Sequence, residues 1–309
     1  MKKCLNKVHV EGRIFSHSLK AGKVENEKSP NFGQAYISGA VNIAVDDACS
    51  NVVTINYTYV PEKFKSGAEN KTYTELKKIL STGKTVEADG KELATIVKAD
   101  SAIGLNDFYT EKDGKETLVA AKKNEGGFIT VGGQLRDEKD RSTFSVDMYI
   151  NGVREVPVED GDDYIMLEGA IFDFRGAILP VSLPVRGKDG ISYFNGLGIS
   201  KQNPTFRNIW GTVMSTRLVT KAQNSSENAA FGKPQVKEYV NTRREWLVTG
   251  ASSGEYELND SEAGITPDEL KKALSDREVH LADVKQRYED YKKNKAANMA
   301  APQSGSFDF

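Results

Sequence analysis

This 309-residue chain predicts a mainly β fold: two small barrels, then a C-terminal helix and a disordered tail. Three observations carry that expectation. Short segments in which apolar residues alternate with polar or small ones recur through most of the chain, the period that turns one strand face to a core and the other to solvent or ligand. Glycine and asparagine punctuate these segments where turns are wanted. A long helical pattern with its own start signal appears only near the C-terminal end.

The first segments are Asn6 to Ile14, Gly39 to Val45 and Val52 to Val60. Thr72 to Leu80 reads as a short amphipathic helix stopped at Ser81-Thr82-Gly83. Residues 84–125 read as an insertion, a hairpin with turns at Asp89-Gly90 and Asp113-Gly114. Phe128 to Arg136 then supplies a fourth strand and Thr143 to Ile150 a fifth, joined by the charged tip Asp137 to Arg141. Together these make a first domain over residues 1–160.

The order and spelling of the segments resemble the single-stranded-DNA-binding proteins of bacteria and their phages. In that family an oligonucleotide-binding (OB) barrel opens with an Asn-Lys-Val strand, matched here by Asn6-Lys7-Val8. Its second strand carries a Gly-Ala-Val-Asn stretch, as at Gly39 to Asn42, and its fourth ends in Gly-Gln-Leu-Arg, as at Gly133 to Arg136. The resemblance covers about the first half of the chain. It implies an OB-fold domain that binds single-stranded DNA during replication or recombination. It also implies a tail that recruits partner proteins, for which Phe307, Asp308 and Phe309 are the matching tip. A cytoplasmic location is expected because neither a membrane span nor a signal-peptide core is read, and action without cofactor or catalysis because no catalytic or metal-site motif is found. The chain departs from the family in lacking tryptophan before Trp210.

A second β domain is expected over residues 161–250, built from Tyr164 to Phe172, Ile178 to Val185, Ile191 to Ile199, Asn208 to Val219 and Val236 to Thr249. Its opening hexapeptide, Leu167 to Phe172, echoes Val10 to Phe15, which suggests a repeated barrel-opening strand. Residues 222–232 read as a loop. In the third region, 251–309, a linker leads to the capping box Thr266-Pro267-Asp268-Glu269. Leu270, Leu274, Leu281, Val284, Tyr288 and Tyr291 then form an apolar stripe, broken at Arg277, that would pair subunits over residues 266–295 or pack on the barrels. Beyond Lys295 the composition is that of a disordered tail.

Lysine and arginine number 42 against 44 aspartates and glutamates. With so little net charge, nucleic-acid affinity would lean on stacking and a local cationic stripe, with a moderate salt dependence. Phosphate contacts are expected from Lys7, Arg13, Arg136, Arg141, Arg207, Arg217, Arg243 and Arg244. Base stacking is expected from Tyr36, Tyr57, Tyr59, Phe144, Tyr149, Trp210 and Trp246, although aromatics also populate strands as packing residues. Cys4 and Cys49 read as reduced, and two cysteines with three scattered histidines make no zinc quartet. No apolar run approaches a membrane span, and no phosphate loop or catalytic triad order is present. The rival reading is a structural β-domain protein of a virion; a nucleic-acid enzyme is a further rival.

Overall fold

The computed structural model describes residues 4–158, 163–223, 236–255 and 265–300. The first ring of strands is built from β1 (Asn6–His17), β3 (Ala35–Ala44), β4 (Val52–Pro61), β5 (Ile96–Lys112) and β6 (Lys115–Val131), with the short β2 (Lys20–Lys23) pairing to β3 at its edge. β1 pairs with both β3 and β5, and the order β1-β5-β6-β4-β3 returns to β1, so the sheet closes. All pairs are antiparallel except β4 with β6, and helix α1 (Lys71–Thr82) connects β4 to β5. This is OB topology. Asn70 caps α1 by accepting from the Thr72 N–H at 3.1 Å, and Tyr73, Leu76 and Ile79 plug the barrel from below.

The second ring repeats the scheme with β7 (Ser142–Val156), β8 (Tyr164–Phe172), β9 (Ile178–Val185), β10 (Thr205–Gln223) and β11 (Val236–Ala251). β7 pairs with β8 and β10, the one parallel pair is β9 with β11, and α3 (Lys188–Gly196) connects β9 to β10. The chain is therefore mainly β, with two OB barrels and a C-terminal helix.

Strand ownership differs from expectation. The segment Thr143 to Ile150, expected as the last strand of the first barrel, lies in β7 and opens the second ring. Phe128 to Val131 ends β6, the fifth strand of the first ring, and Gly133 to Arg136 belongs to the link into β7. Residues 84–125 are accordingly no insertion: they hold the short helix α2 (Val86–Asp89), all of β5 and most of β6. The hexapeptide echo joins β1 to β8, strands of different rank. Both need the glycine, because a Cβ on Gly12 or Gly169 would lie 2.0 Å from a neighbouring carbonyl oxygen. Ile191 to Ile199 is mostly helix, since Ile191, Phe194 and Leu197 recur every third residue and Gly187, at φ +95°, turns the chain out of β9.

The rings are joined along β1 and β7, paired antiparallel from Asn6↔Val146 to Val10↔Ser142. Second contacts lock the join. Buried Trp246 donates its indole N–H to Asn124 Oδ1 at 3.0 Å, and Lys122 Nζ donates to the Ser182 carbonyl at 2.6 Å while lying 5.3 Å from the Trp246 ring centre. Burial lowers the Lys122 pKa, an effect Glu245 partly opposes. One hydrophobic core runs through both barrels.

Helix α4 (Pro267–Ala300) opens with the expected capping box: the Glu269 N–H donates to Thr266 Oγ1 and the Thr266 N–H to Glu269 Oε2. Ile265, Leu270 and Ala273 pack against Phe172, Ile178, Phe206 and Cys4 at the second ring. The helix then climbs the β5–β6 hairpin of the first ring. Arg277, the break in the apolar stripe, grips buried Asp107 with both terminal nitrogens at 2.6 Å, and His280 adds a contact at 3.1 Å. Tyr109 and Tyr288 stack at 5.8 Å and Lys292 pairs with Glu116 at 2.8 Å. The helix packs on its own barrels, and the expected pairing of subunits through it remains a proposal. No disulfide joins Cys4 and Cys49, and no helix among the described residues is long and apolar enough to cross a membrane.

Arg277→Ala should strand the Asp107 carboxylate, costing about 3–5 kcal/mol of docking, and limited proteolysis should then cut within α4. Burial alone would raise the Asp107 pKa, but Arg277 and His280 more than offset it and hold it low. A depressed carboxylate stabilises above its unfolded pKa of about 3.9 and loses that contribution as pH falls through the lower folded value. Acid should therefore sensitise α4 of the unmodified protein to protease, while Arg277→Ala is sensitive already at neutral pH.

Candidate nucleic-acid interface

Pairing of β5, β1, β7 and β10 lays four strands side by side across the join between the rings, and alternation sends Val8, Val10, Phe144 and Val146 into the core. The residues between them face outward in registered rows. Asp100, His9, Thr143 and Thr212 form one row, and Lys7, Ser145 and Trp210 another. With strands about 4.8 Å apart, Lys7 and Trp210 stand about 10 Å from each other across the sheet. The link after β6 rises over one side with Arg136 and Lys139. The result is a groove of about 760 Å³, lined by Lys7, Lys98, Arg136, Lys139 and Trp210 among others.

Trp210 is 42% exposed in this groove. Its indole lies on the backbone of Gly250, its register partner, where an added Cβ would come 2.3 Å from Nε1. The glycine thus lets the ring lie down on the strand while leaving it open to a ligand.

The electrostatic centre is Glu11, whose side chain is 1% exposed. It accepts the Arg136 backbone N–H at 2.5 Å, and Lys98 Nζ, Arg136 Nε and His9 Nε2 lie at 3.3, 3.3 and 3.4 Å. Burial would raise its pKa, yet the Arg136 N–H, then Lys98, the Arg136 guanidinium and His9 outweigh that and lower it. His9 Nδ1 reaches Asp100 at 2.8 Å, and Lys7 lies 3.5 Å from the same oxygen. One buried acid and one exposed acid thereby hold Lys7, His9, Lys98 and Arg136 in fixed positions along the groove.

The expected site residues divide. Lys7, Arg136 and Trp210 come together in the groove, and Phe144, though 2% exposed, forms part of its floor. Tyr59, 40% exposed, and Tyr36 meet at 5.0 Å between ring centres elsewhere on the first ring. Arg244 is exposed on β11, beside the contact between the rings.

The remaining side chains described lie outside this groove and have contacts within the protein. Tyr57 is 1% exposed inside the barrel, with its phenol pKa raised by burial, and Trp246 is the core contact already described. Tyr149 packs on the apolar group under α4. Arg207 is buried, donating to Thr205 Oγ1, Tyr193 Oη and the Ser252 and Ser253 carbonyls. Arg141 is spent on Asp47 at 2.8 Å and the Arg136 carbonyl at 2.7 Å, and Arg13 lies half-buried, 3.5 Å from the Ala94 carbonyl. The side chains of Arg217 and Arg243, and all of Phe307, Asp308 and Phe309, lie outside the described residues. Sequence reasoning missed Lys98 and Lys139, whose signal was their place on the outward period of β5 and in the Arg136 link.

Glu11→Gln should lower stability by about 1.5–3 kcal/mol, the worth of hydrogen bonds to a charged group. Because its pKa is depressed, that loss should be present at neutral pH and shrink as acid protonates Glu11 in the unmodified protein. Denaturation midpoints of the two proteins at several pH values check the convergence.

A family model described as YorF matches residues 5–287. No curated protein matches by sequence. Among solved structures, the wild-type single-stranded DNA binding protein from Thermus aquaticus is similar at a TM-score of 0.43 and 8% identity, over 83% of this chain and 96% of that one. A deletion mutant of the same protein gives 0.44 and 8%, over 85% and 100%. At such scores the likeness says nothing about a ligand.

Proposed function

The chain belongs to the YorF family, and we propose that it is a single-stranded-DNA-binding protein that coats exposed strands stoichiometrically rather than acting on them as an enzyme. The observation that carries the reading is Trp210, an indole held open on a strand within a groove flanked by Lys7, Lys98, Arg136 and Lys139. A core aromatic would be covered, whereas Trp210 stands open, about 10 Å from Lys7 across the sheet. Bases stack on such a ring without regard to sequence, and duplex DNA hides the faces that stacking needs. The acids in the groove, Glu11, Asp100 and Asp140, nearly balance its cations, so affinity leans on stacking.

The setting that fits is the cytoplasm of a bacterium, on strands opened in replication or recombination, with a phage as the source of the protein. Partner proteins would dock on the Phe307-Asp308-Phe309 tip. The rival reading, a structural component of a virion, predicts no oligonucleotide binding.

Oligo(dT) should bind in preference to duplex, and Trp210→Ala should cost about 1–3 kcal/mol of affinity, one stacked base. Competition titrations monitored by fluorescence anisotropy check both, and equal affinity for duplex would sink the reading. Replacing Lys7 and Arg136 together by alanine should reduce the slope of log affinity against log salt by up to about two units. Arg141→Ala should leave the slope unchanged, because its side chain is largely buried against Asp47 and the Arg136 carbonyl, whereas Lys7 and Arg136 keep about half of their surface open.

A further inference from the structure

The turn from Asp173 to Ala177 joins β8 to β9 and presents Phe174, at 73% the most exposed large apolar side chain among the described residues. The turn is braced. Asp173 Oδ1 accepts the Arg175 and Ala177 N–H groups at 2.8 Å each, the Asp173 N–H donates to the Ala177 carbonyl at 3.0 Å, and Gly176 takes φ +82°. A rigid turn that holds a phenyl ring in water serves no core. The Arg175 guanidinium sits 5.0 Å from the ring centre, and no carboxylate pairs with it among the described residues.

Phe174 and Arg175 overhang a second groove of about 810 Å³, which Tyr59 also lines. Lys7 and Asp100 line both this groove and the one holding Trp210, so the two meet at that pair. The acids of the second groove are occupied within the protein. Asp173 braces its own turn, Glu125 accepts from the Thr58 hydroxyl at 3.0 Å and pairs with Lys123 at 3.1 Å, and Asp100 faces His9 and Lys7.

We propose that Phe174 and Arg175 form a second stacking and phosphate-binding step, and that one extended polynucleotide strand runs from Trp210 over Lys7 to Phe174. This rests on the single-strand reading above and deepens it. The ligand is a continuous single strand, because a mononucleotide cannot occupy both open rings and a duplex cannot offer its bases to either. Arginine beside an aromatic ring is the pairing such a strand uses, a cation for the phosphate and a π-face for the base.

The test uses the full chain with an oligo(dT) of about 30 nucleotides, near twice the upper site size of roughly 16 per OB barrel, carrying 5-iodouracil at scattered positions. After irradiation, cross-linked peptides are mapped by mass spectrometry. In parallel, the affinity of Phe174→Ala is measured, a substitution at an exposed position that spares the core. Cross-links at both Trp210 and the β8–β9 turn are expected, with Phe174→Ala weakening binding about tenfold, one stacked base. Cross-links at Trp210 but none at the turn, with unchanged affinity for Phe174→Ala, would overturn this step and leave the single-strand reading intact. No binding by the unmodified protein would overturn both.

Discussion

The antiparallel pairing of β1 with β7 is the constraint on which the rest depends. Each is the first strand of its own ring, and β1 also pairs with β3 and β5 while β7 also pairs with β8 and β10. Two closed barrels therefore share a seam of backbone hydrogen bonds instead of meeting through a linker. Side-chain period is two, so register at the seam decides what both outer faces show, and a slip of one residue would exchange core for surface on every strand involved. Because Val8 and Val10 on β1 and Phe144 and Val146 on β7 must all enter the shared core, Lys7, His9 and Ser145 have to face out together. The groove follows from the core.

The seam also explains how a nearly neutral chain presents cations in order. Glu11 follows Lys7 and His9 on the same outward alternation of β1 and is buried there, and a buried carboxylate is tolerated only when hydrogen-bonded and paired. Its partners are the groove's own cations, Lys98 and Arg136, together with His9. The acid that fold stability requires to be satisfied is thus the acid that fixes where the cations stand. On the proposed single-strand function, a strand on this face would meet charges already positioned and partly neutralised, which favours stacking over counterion release as the source of affinity.

Periodicity made most strands legible, from Asn6 in β1 to Thr249 in β11, as well as the α4 cap at Thr266. What it could not show was which barrel owned a strand, because pairing partners leave no mark on alternation: β7 reads equally well as the end of one ring or the start of the next. The apolar triplet Ile191, Phe194 and Leu197 has helical spacing, but among β neighbours the same short apolar run fits a strand as well. Side-chain commitment was hidden for the same kind of reason. Arg207 and Arg141 look like phosphate ligands in a sequence, yet tertiary carbonyls and Asp47 occupy them. Arg277 looked like a flaw in an apolar stripe and is the clamp on Asp107. Of the two tryptophans, neighbouring cations could not tell Trp246 in the core from Trp210 in the groove, and Phe174 carried no signal beyond its Asp-Phe-Arg-Gly turn.

The two tryptophans offer the most direct test of the claim that a single strand lies on the face across the seam. Their indole N–H resonances can be followed in a proton–nitrogen correlation spectrum as oligo(dT) is added, with Trp246, 2% exposed, as an internal reference for Trp210, 42% exposed. Binding should shift the Trp210 signal to saturation while the Trp246 signal stays in place. A bound complex in which Trp210 does not move would contradict it, since the strand would then lie elsewhere on the molecule.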